Sequence, residues 1–222
     1  MHRIQRGIQQ WKYELLLLAL MQHLFIGVVL TDMTHYRNVI WPLNMLVLGV
    51  ASIGIYQDHR QWKNVLRTAL FLLALPIGLS FLSESLPYFL FLNIVYVVFF
   101  LMLLVELFRF LIKPSYINVD IISASACGYF LLIELFVFIL QFIHYFNPNS
   151  FKGLDTSSHA RTYMDLIYFC SITITSIGFG DVLPNTHHTK LLTSLFGIIG
   201  QFYTVVLVGI LISKFSSKHS TS

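Results

Sequence analysis

The sequence predicts an all-α membrane protein with six transmembrane helices, on the basis of its composition and its apolar runs. Of the 222 residues, 56% are hydrophobic and only 11% are charged, which lies outside the range of soluble domains. Six apolar runs are long enough to cross a bilayer. They cover residues 13–30, 39–56, 65–83, 88–112, 121–146 and 190–213.

Two of the six runs have features that are unusual for a transmembrane helix. The first has a charged start, but its apolar core is long and no small-residue cleavage site follows. We therefore interpret it as a retained helix rather than a signal peptide. The third contains Pro76 and Gly78, and neighbouring helices repair such interruptions inside a bundle.

The distribution of basic residues predicts the orientation of the helices. With the N-terminus in the cytoplasm, ten Lys and Arg residues fall on the inner side and four on the outer side, in agreement with the positive-inside rule. The inner residues are Arg3, Arg6, Lys12, Arg60, Lys63, Arg67, Arg109, Lys113, Lys214 and Lys218, and the outer residues are Arg37, Lys152, Arg161 and Lys190. We expect a multi-pass protein of the cell membrane with both termini cytoplasmic, in the inner membrane if the source is a bacterium.

Residues 171–181 read Ser-Ile-Thr-Ile-Thr-Ser-Ile-Gly-Phe-Gly-Asp and lie between the last two predicted helices. Gly178 and Gly180 alternate with bulky apolar residues. Glycine supplies the unusual backbone dihedrals that a chain needs if its successive carbonyls are to point the same way. Taken alone, Gly-Phe-Gly-Asp also suits a turn after an amphipathic helix. The context favours a pore, because a run of helical length precedes the motif at residues 163–175 and an apolar helix follows it.

This stretch resembles the signature of the potassium-channel superfamily, in which a Thr-rich pore helix leads into Thr-Val/Ile-Gly-Tyr/Phe-Gly-Asp. Here Ser176 stands where that family usually has Thr. The resemblance implies that backbone carbonyls replace the hydration shell of K⁺, with the Ser176 hydroxyl as a further oxygen at the inner end. It assigns the filter to Thr175, Ser176, Ile177, Gly178, Phe179 and Gly180, and K⁺ to the carbonyls of Ser176, Ile177, Gly178 and Phe179.

A break in the apolar pattern at Pro114 and the polar residues after it predicts two domains. Residues 1–114 are expected to form a four-helix transmembrane domain without voltage-sensor charges. Residues 115–222 are expected to form a pore domain with an outer helix, a re-entrant pore helix, the selectivity filter and an inner helix. This part resembles the two-helix pore module of the superfamily. The overall layout resembles small bacterial six-transmembrane potassium channels, including their Gly-Gln-aromatic-Tyr stretch at residues 200–203.

The fourth predicted helix lacks the charges of a voltage sensor. One charge that crosses the membrane field is worth roughly 2.3 kcal/mol per 100 mV, so steep voltage sensing needs several Arg or Lys residues at three-residue intervals. No basic residue lies between Tyr88 and Val105. Arg109 and Lys113 lie at the inner end, where snorkelling explains them. We predict opening that is not steeply voltage-dependent.

The residues expected to support the filter are Asp181, Tyr168, Phe169 and Glu134. In related channels, the carboxylate after the filter is tied to an acidic or aromatic group on the pore helix. Ile172 occupies the acidic position here, which leaves Tyr168 as the partner of Asp181 by register. In channels with a filter tyrosine, a pore-helix aromatic bonds its hydroxyl. Phe179 has no hydroxyl, and the facing position is Phe169, so we expect packing to hold the filter more than hydrogen bonds.

Glu134 lies in the middle of the fifth predicted helix, where a lone carboxylate is costly and is a functional candidate by default. It either bonds hydroxyl groups behind the filter, titrates, or is protonated and structurally quiet. On the inner helix, Gly200 falls where related pores bend, although small residues also allow close helix contacts. By the same register, Gln201, Thr204 and Val208 face a water-filled cavity. Hydrogen bonds between helices would also satisfy the two polar residues.

The leading functional hypothesis is a potassium-selective channel that conducts K⁺ passively. The alternatives are a weakly selective monovalent cation channel, because of Ser176, and a subunit of a potassium transporter. We expect that the protein is not an enzyme, because the membrane segments contain no Ser-His pair, paired midplane carboxylates or His-Glu-x-x-His motif. A ring of carbonyls requires a homotetramer. No cofactor is expected besides permeant K⁺, and the partners are other copies of the chain and membrane lipids, without nucleic acid.

Overall fold

The computed structural model describes residues 11–30, 36–55, 86–112 and 119–219. The helices in these ranges are α1 (Lys12–Phe25), α2 (Trp41–Ile53), α3 (Leu86–Ile112), α4 (Val119–Phe146), α5 (His159–Ile174) and α6 (His187–His219). Short 3-10 turns lie at Ile26–Val28 and Pro148–Ser150, and a π-helical turn lies at Tyr36–Ile40. Two short strands, β1 (Phe151–Lys152) and β2 (Leu183–Pro184), complete the described elements.

Helix α4 is the centre of the fold. It packs most extensively against α3 and also contacts α1, α5 and α6. Its sequence explains this position, because apolar residues surround the helix instead of forming one stripe. Leu131, Ile133, Phe136 and Val137, which point in different directions, are all buried. The N-terminal helices therefore pack against the same helix that supports α5 and α6.

Three of the described helices are long and apolar enough to cross a membrane, and the protein is a multi-pass membrane protein. These stretches are Tyr88–Ile112, Val119–Phe146 and His187–Leu207. Helix α2 is apolar but shorter. Helix α1 has 14 residues, or about 21 Å, which is less than the thickness of a hydrocarbon core. The third predicted run, at 65–83, and the predicted boundary at Pro114 lie outside the described residues.

Helices α5 and α6 both begin earlier than the sequence predicted, because each has a side-chain cap. Oγ of Ser158 accepts a hydrogen bond from the backbone N–H of Arg161 at 3.3 Å, so α5 begins at His159 rather than at residue 163. Oγ1 of Thr186 accepts a hydrogen bond from the N–H of Thr189 at 3.4 Å. This extends the start of α6 to His187.

A small antiparallel sheet joins the loops on the two sides of α5. Phe151 of β1 pairs with Pro184 of β2. Beside the sheet, the N–H of Asn185 donates to the carbonyl of Ser150 at 2.8 Å, and Oγ1 of Thr189 donates to the same carbonyl at 2.9 Å. The segment between α5 and α6 is therefore held in place at its far end by the loop that follows α4.

Candidate functional site

The segment that follows α5 has alternating backbone dihedrals. Ser176, Gly178 and Gly180 have φ values of 61°, 56° and 85°, and they alternate with residues whose φ is not positive. Such an alternation is what a chain needs if its successive carbonyls are to face one side. A Cβ built on Gly178 or Gly180 would meet no atom within 4 Å. The dihedral, and not a lack of space, therefore requires glycine at these two positions.

Ser176 is a position whose unusual backbone the sequence analysis did not identify. A positive φ is uncommon for residues other than glycine, and it is a stronger outlier for β-branched side chains. Serine lacks the β-methyl group of threonine, so it adopts this conformation at a lower steric cost. The departure from the Thr of the resembling family therefore coincides with the first positive φ of the segment.

Backbone hydrogen bonds hold the segment against the C-terminal end of α5. The carbonyl of Ile172 accepts hydrogen bonds from the N–H groups of Ile177 at 2.8 Å and Gly178 at 3.1 Å. The carbonyl of Thr173 accepts one from the N–H of Ser176 at 3.1 Å. Ile172 has no acidic side chain, and it supports the segment through its backbone carbonyl.

The inner end of the segment contacts α6 through Ser176 and Gln201. Nε2 of Gln201 donates a hydrogen bond to Oγ of Ser176. A hydroxyl oxygen has two lone pairs, so this contact leaves one for an ion. Gln201 therefore contacts the first residue of the segment with a positive φ, and its place in a water-filled cavity stays a prediction.

Asp181, at the outer end, is bound to Tyr168, and the partner predicted by register is confirmed. The hydroxyl of Tyr168 donates to Oδ2 of Asp181 at 2.7 Å. This hydrogen bond lowers the pKa of the exposed Asp181 carboxyl below its usual value. The ring of Tyr168 also lies nearly parallel to that of Phe179, with centroids 6.4 Å apart. One residue of α5 thus contacts two residues at the outer end, one of them through a charge-assisted hydrogen bond.

Phe169 does not face Phe179 within the chain, so the pairing predicted from register is wrong for a single chain. The buried Phe169 ring lies 5.6 Å from the ring of Phe151 and 6.3 Å from that of Phe136, measured between centroids. Successive residues of a helix point about 100° apart. Because Tyr168 faces the segment, Phe169 is turned toward β1 and α4.

Gly200 lies where α6 contacts the end of α5. A Cβ on Gly200 would lie 2.8 Å from Cγ2 of Ile174, so the close-contact interpretation has a structural basis. The hinge interpretation stays a prediction, and α6 is one continuous helix through this position. Oγ1 of Thr204 donates to the carbonyl of Gly200 within the helix at 3.0 Å. The side chain of Val208 lies outside the described residues.

Glu134 is fully buried, and its interpretation as a lone carboxylate is wrong. The hydroxyl of Tyr163 on α5 lies 3.4 Å from Oε2 of Glu134, and Nε2 of His23 on α1 lies 3.6 Å from Oε1. The structure therefore contains a contact between Glu134 and a hydroxyl group, and the other two alternatives stay predictions. His23 and Tyr163 were not predicted from the sequence, because their only signal was a polar group within an apolar segment.

The segment between α4 and α6 lies in a part of the chain that is similar to known proteins. A family model described as "Ion channel" matches residues 129–217. Two-pore potassium channel 5 of Arabidopsis thaliana is 32% identical over 99 residues, which are 44% of this chain and 22% of that protein. Two pore potassium channel a of Oryza sativa subsp. japonica is 35% identical over 88 residues, which are 39% of this chain and 23% of that protein. No solved structure gives a significant match.

The matched region contains most of α4, the capped α5, the alternating segment and most of α6. The match spans less than a quarter of the length of these two relatives. The family match therefore agrees with the geometry over residues 129–217, and it points to an ion channel rather than an enzyme. Over residues 129–217 the chain is similar to the ion channel family, and this match supports a pore module of the potassium-channel superfamily.

Proposed function

We propose that this protein is a potassium-selective channel through which K⁺ flows passively down its electrochemical gradient. The observation that carries the proposal is the alternation of positive φ at Ser176, Gly178 and Gly180. This alternation supports backbone carbonyls aligned on one side, and a ring of such carbonyls replaces the hydration shell of K⁺. The printed names of the relatives, which are potassium channels, support the choice of ion.

The ion path is proposed to lie between four copies of the chain, because this sequence holds one filter segment and a closed ring needs several. Helix α6 supports this, because one of its apolar stripes is exposed in the single chain. The stripe consists of Leu191, Leu195, Ile198, Phe202 and Val205. Its alternating four- and three-residue spacing keeps one face of a helix toward a neighbouring helix. We assign this stripe to a second copy of the chain.

A second face of α6 is polar and is assigned to the ion path. Gln201 and Thr204 are exposed in the single chain and lie about a third of a turn from the apolar stripe. Gln201 already reaches Ser176 at the inner end of the filter. With the third face packed on α4 and α5, each side of α6 has an assigned neighbour, and Val208 shares the register of the polar face.

The channel is proposed to open without steep voltage dependence, with both termini in the cytoplasm. Helix α3 has no basic residue from Tyr88 to Val105, so it offers no charge to move through the membrane field. Arg109 lies at its end and pairs with Glu106, with Nη1 and Oε2 3.1 Å apart.

A weakly selective monovalent cation channel is the second candidate, and Ser176 is the observation that favours it. Its side chain lacks the methyl group that stiffens threonine, and its hydroxyl is shared with Gln201. Both differences affect the innermost ion site only. The carbonyls of Ile177, Gly178 and Phe179 remain for the other sites, and for this reason strict potassium selection is the preferred proposal.

The proposal is tested by the flux of K⁺ from vesicles that contain the purified protein. We expect Gly178→Ala to abolish the flux, because alanine strongly disfavours the positive φ of that position. Gly197→Ala is the matched control: a Cβ there also meets open space, but the backbone has no positive φ. Its flux should remain within about twofold of wild type. Equal flux from both variants would contradict a carbonyl-lined path.

A further inference from the structure

The described N-terminal helices meet the pore module at a buried polar cluster, which consists of His23 of α1, Glu134 of α4 and Tyr163 of α5. His23 and Glu134 are fully buried, and Tyr163 is 1% exposed. Oη of Tyr163 lies 3.1 Å from Nε2 of His23 and 3.4 Å from Oε2 of Glu134. Three different helices therefore share one polar cluster, in which His23 and Tyr163 are 140 residues apart in the sequence.

The donors and acceptors of the cluster suggest an order in which each group donates a hydrogen bond to the next. A tyrosine hydroxyl has one proton to donate, so it cannot donate to both neighbours. Both contacts are satisfied when Nε2–H of His23 donates to Tyr163 and the hydroxyl of Tyr163 donates to Oε2 of Glu134. Tyr163 is then the central member. Loss of either contact leaves a buried polar group without that partner, which is unfavourable in an apolar interior.

The two other described N-terminal helices reach the same tyrosine through Trp41 of α2. The Trp41 ring meets the Tyr163 ring edge-on, with centroids 4.5 Å apart, and it lies 5.3 Å from the ring of His23. Its Nε1–H donates to the hydroxyl of Tyr96 on α3 at 3.1 Å. Each of α1, α2 and α3 therefore contributes one residue to the surroundings of Tyr163.

Tyr163 lies in the first turns of α5, and the opposite end of that helix holds the filter. Ile172, whose carbonyl accepts two filter N–H groups, lies nine residues further along, or about 13 Å at the rise of an α-helix. Tyr168, between them, bonds Asp181. Because α5 is a continuous helix, a shift at Tyr163 also displaces the two groups that hold the filter.

We propose that this cluster couples the N-terminal helices to the selectivity filter. His23 positions Tyr163, and Tyr163 fixes the placement of α5 that the conducting geometry of the filter requires. The N-terminal helices thus act on the pore by holding α5, without the charges of a voltage sensor. The inference rests on the potassium conduction proposed above, and it adds His23 and Tyr163 as positioning residues for that conduction.

Single-channel recordings of the full chain in planar bilayers test the coupling. We expect His23→Leu and Tyr163→Phe each to lower the open probability about tenfold, the effect of losing a buried hydrogen bond. His23→Gln keeps a donor and should stay within about twofold of wild type. Because the two residues share one contact, the double variant His23→Leu, Tyr163→Phe should be no worse than either single variant.

Phe100→Leu on α3 is the matched control. The Phe100 ring is fully buried and lies 6.3 Å from the His23 ring, so the substitution trims packing at the cluster and keeps its three polar groups. We expect an open probability within about twofold of wild type. A tenfold loss in Phe100→Leu, or additive losses in the double variant, would overturn the coupling, because packing alone would then explain the effect.

A second measurement does not depend on conduction. Cys170 is buried on α5, so the rate at which N-ethylmaleimide modifies it, in a Cys127→Ala background, reports on the placement of that helix. We expect about tenfold faster modification in His23→Leu and Tyr163→Phe, and the wild-type rate in His23→Gln. If wild type conducts K⁺ but these substitutions change neither rate nor open probability, the coupling is wrong and the proposed function stands. If wild type does not conduct K⁺, the proposed function is wrong, and an unchanged modification rate would also overturn the coupling.

Discussion

Helices α4 and α6 flank the proposed filter, yet a single chain completes the packing of only one of them. Within the 18-residue apolar stretch of each helix, 67% of the residues of α4 are buried, compared with 17% of those of α6. Both stretches are apolar enough to span a membrane, so composition does not explain the difference. Their neighbours do, because α4 lies among α1, α3, α5 and α6, whereas among the described elements α6 mainly contacts α4 and α5, with a smaller contact to β2.

The contacts that α6 does make within its chain lie on one face. The hydroxyl of Tyr203 donates to the carbonyl of Ser125 at 2.6 Å. The ring of Phe196 stacks on that of Phe136, with centroids 4.3 Å apart. The two helices therefore differ: the partners of α4 are in the same chain, whereas we assign the open faces of α6 to other copies and to the proposed ion path. Three substitutions test this difference.

The largest effect is expected from Ile198→Trp on the exposed stripe of α6. A bulkier side chain there would overpack a contact between copies, at a cost of about 1–3 kcal/mol per contact, repeated at each contact of the ring. Mass measurement of the purified protein should show most of the tetramer lost. Leu18→Trp on α1 is the matched control, because Leu18 is 65% exposed and Ile198 is 68% exposed. If both variants remain tetrameric, the stripe of α6 faces lipid and the comparison fails.

An intermediate effect is expected from Gly128→Ala on α4. A Cβ on Gly128 would meet the hydroxyl of Tyr203 and would lie 3.1 Å from Cδ2 of Leu107, so α6 could not approach α4 as closely. We expect unfolding to be easier by about 1–3 kcal/mol, measured by thermal unfolding in detergent. Gly197→Ala, at an open position of α6, is the control. Equal stability of the two variants would show that the contact between α4 and α6 adapts freely.

The smallest effect is expected at the segment that connects α5 to α6. The hydrogen bond from Tyr168 lowers the pKa of Asp181, so the contribution of the carboxylate is present at neutral pH and is lost only as the pH falls through this lowered value. Tyr168→Phe removes the donor and lets the pKa rise toward its ordinary value. Acid added on the outer side should then reduce the current at a higher pH than in wild type, by less than about one pH unit. An unchanged pH profile would contradict a supporting role for this pair.

Local signals in the sequence predicted the part of the site that depends on local chemistry. The positive φ at Gly178 and Gly180 followed from residue type, and the bond between Tyr168 and Asp181 followed from register. The positive φ of Ser176 did not follow from residue type, because serine adopts many backbone conformations and only the surrounding hydrogen bonds select this one. Phe169 was misplaced because a step of one residue turns a side chain toward a different neighbour.

Contacts between distant segments were the part that the sequence did not reveal. Tyr163 is separated from His23 by 140 residues and from Glu134 by 29 residues. A period of 3.6 residues predicts helices, but it does not say which faces of different helices meet. Glu134 was recognised because a carboxylate within an apolar run is unusual. Its partners were less conspicuous, since tyrosine and histidine also occur at membrane interfaces and in loops.

The central claim, that Ser176–Phe179 form a potassium-selective carbonyl ladder, is tested most directly by the reversal potential of the purified full chain in a planar bilayer. Potassium is placed on one side and sodium on the other at equal concentration. The proposed function predicts a reversal potential displaced far from zero toward the potassium equilibrium potential. A reversal potential near zero would contradict it and would favour a weakly selective cation channel.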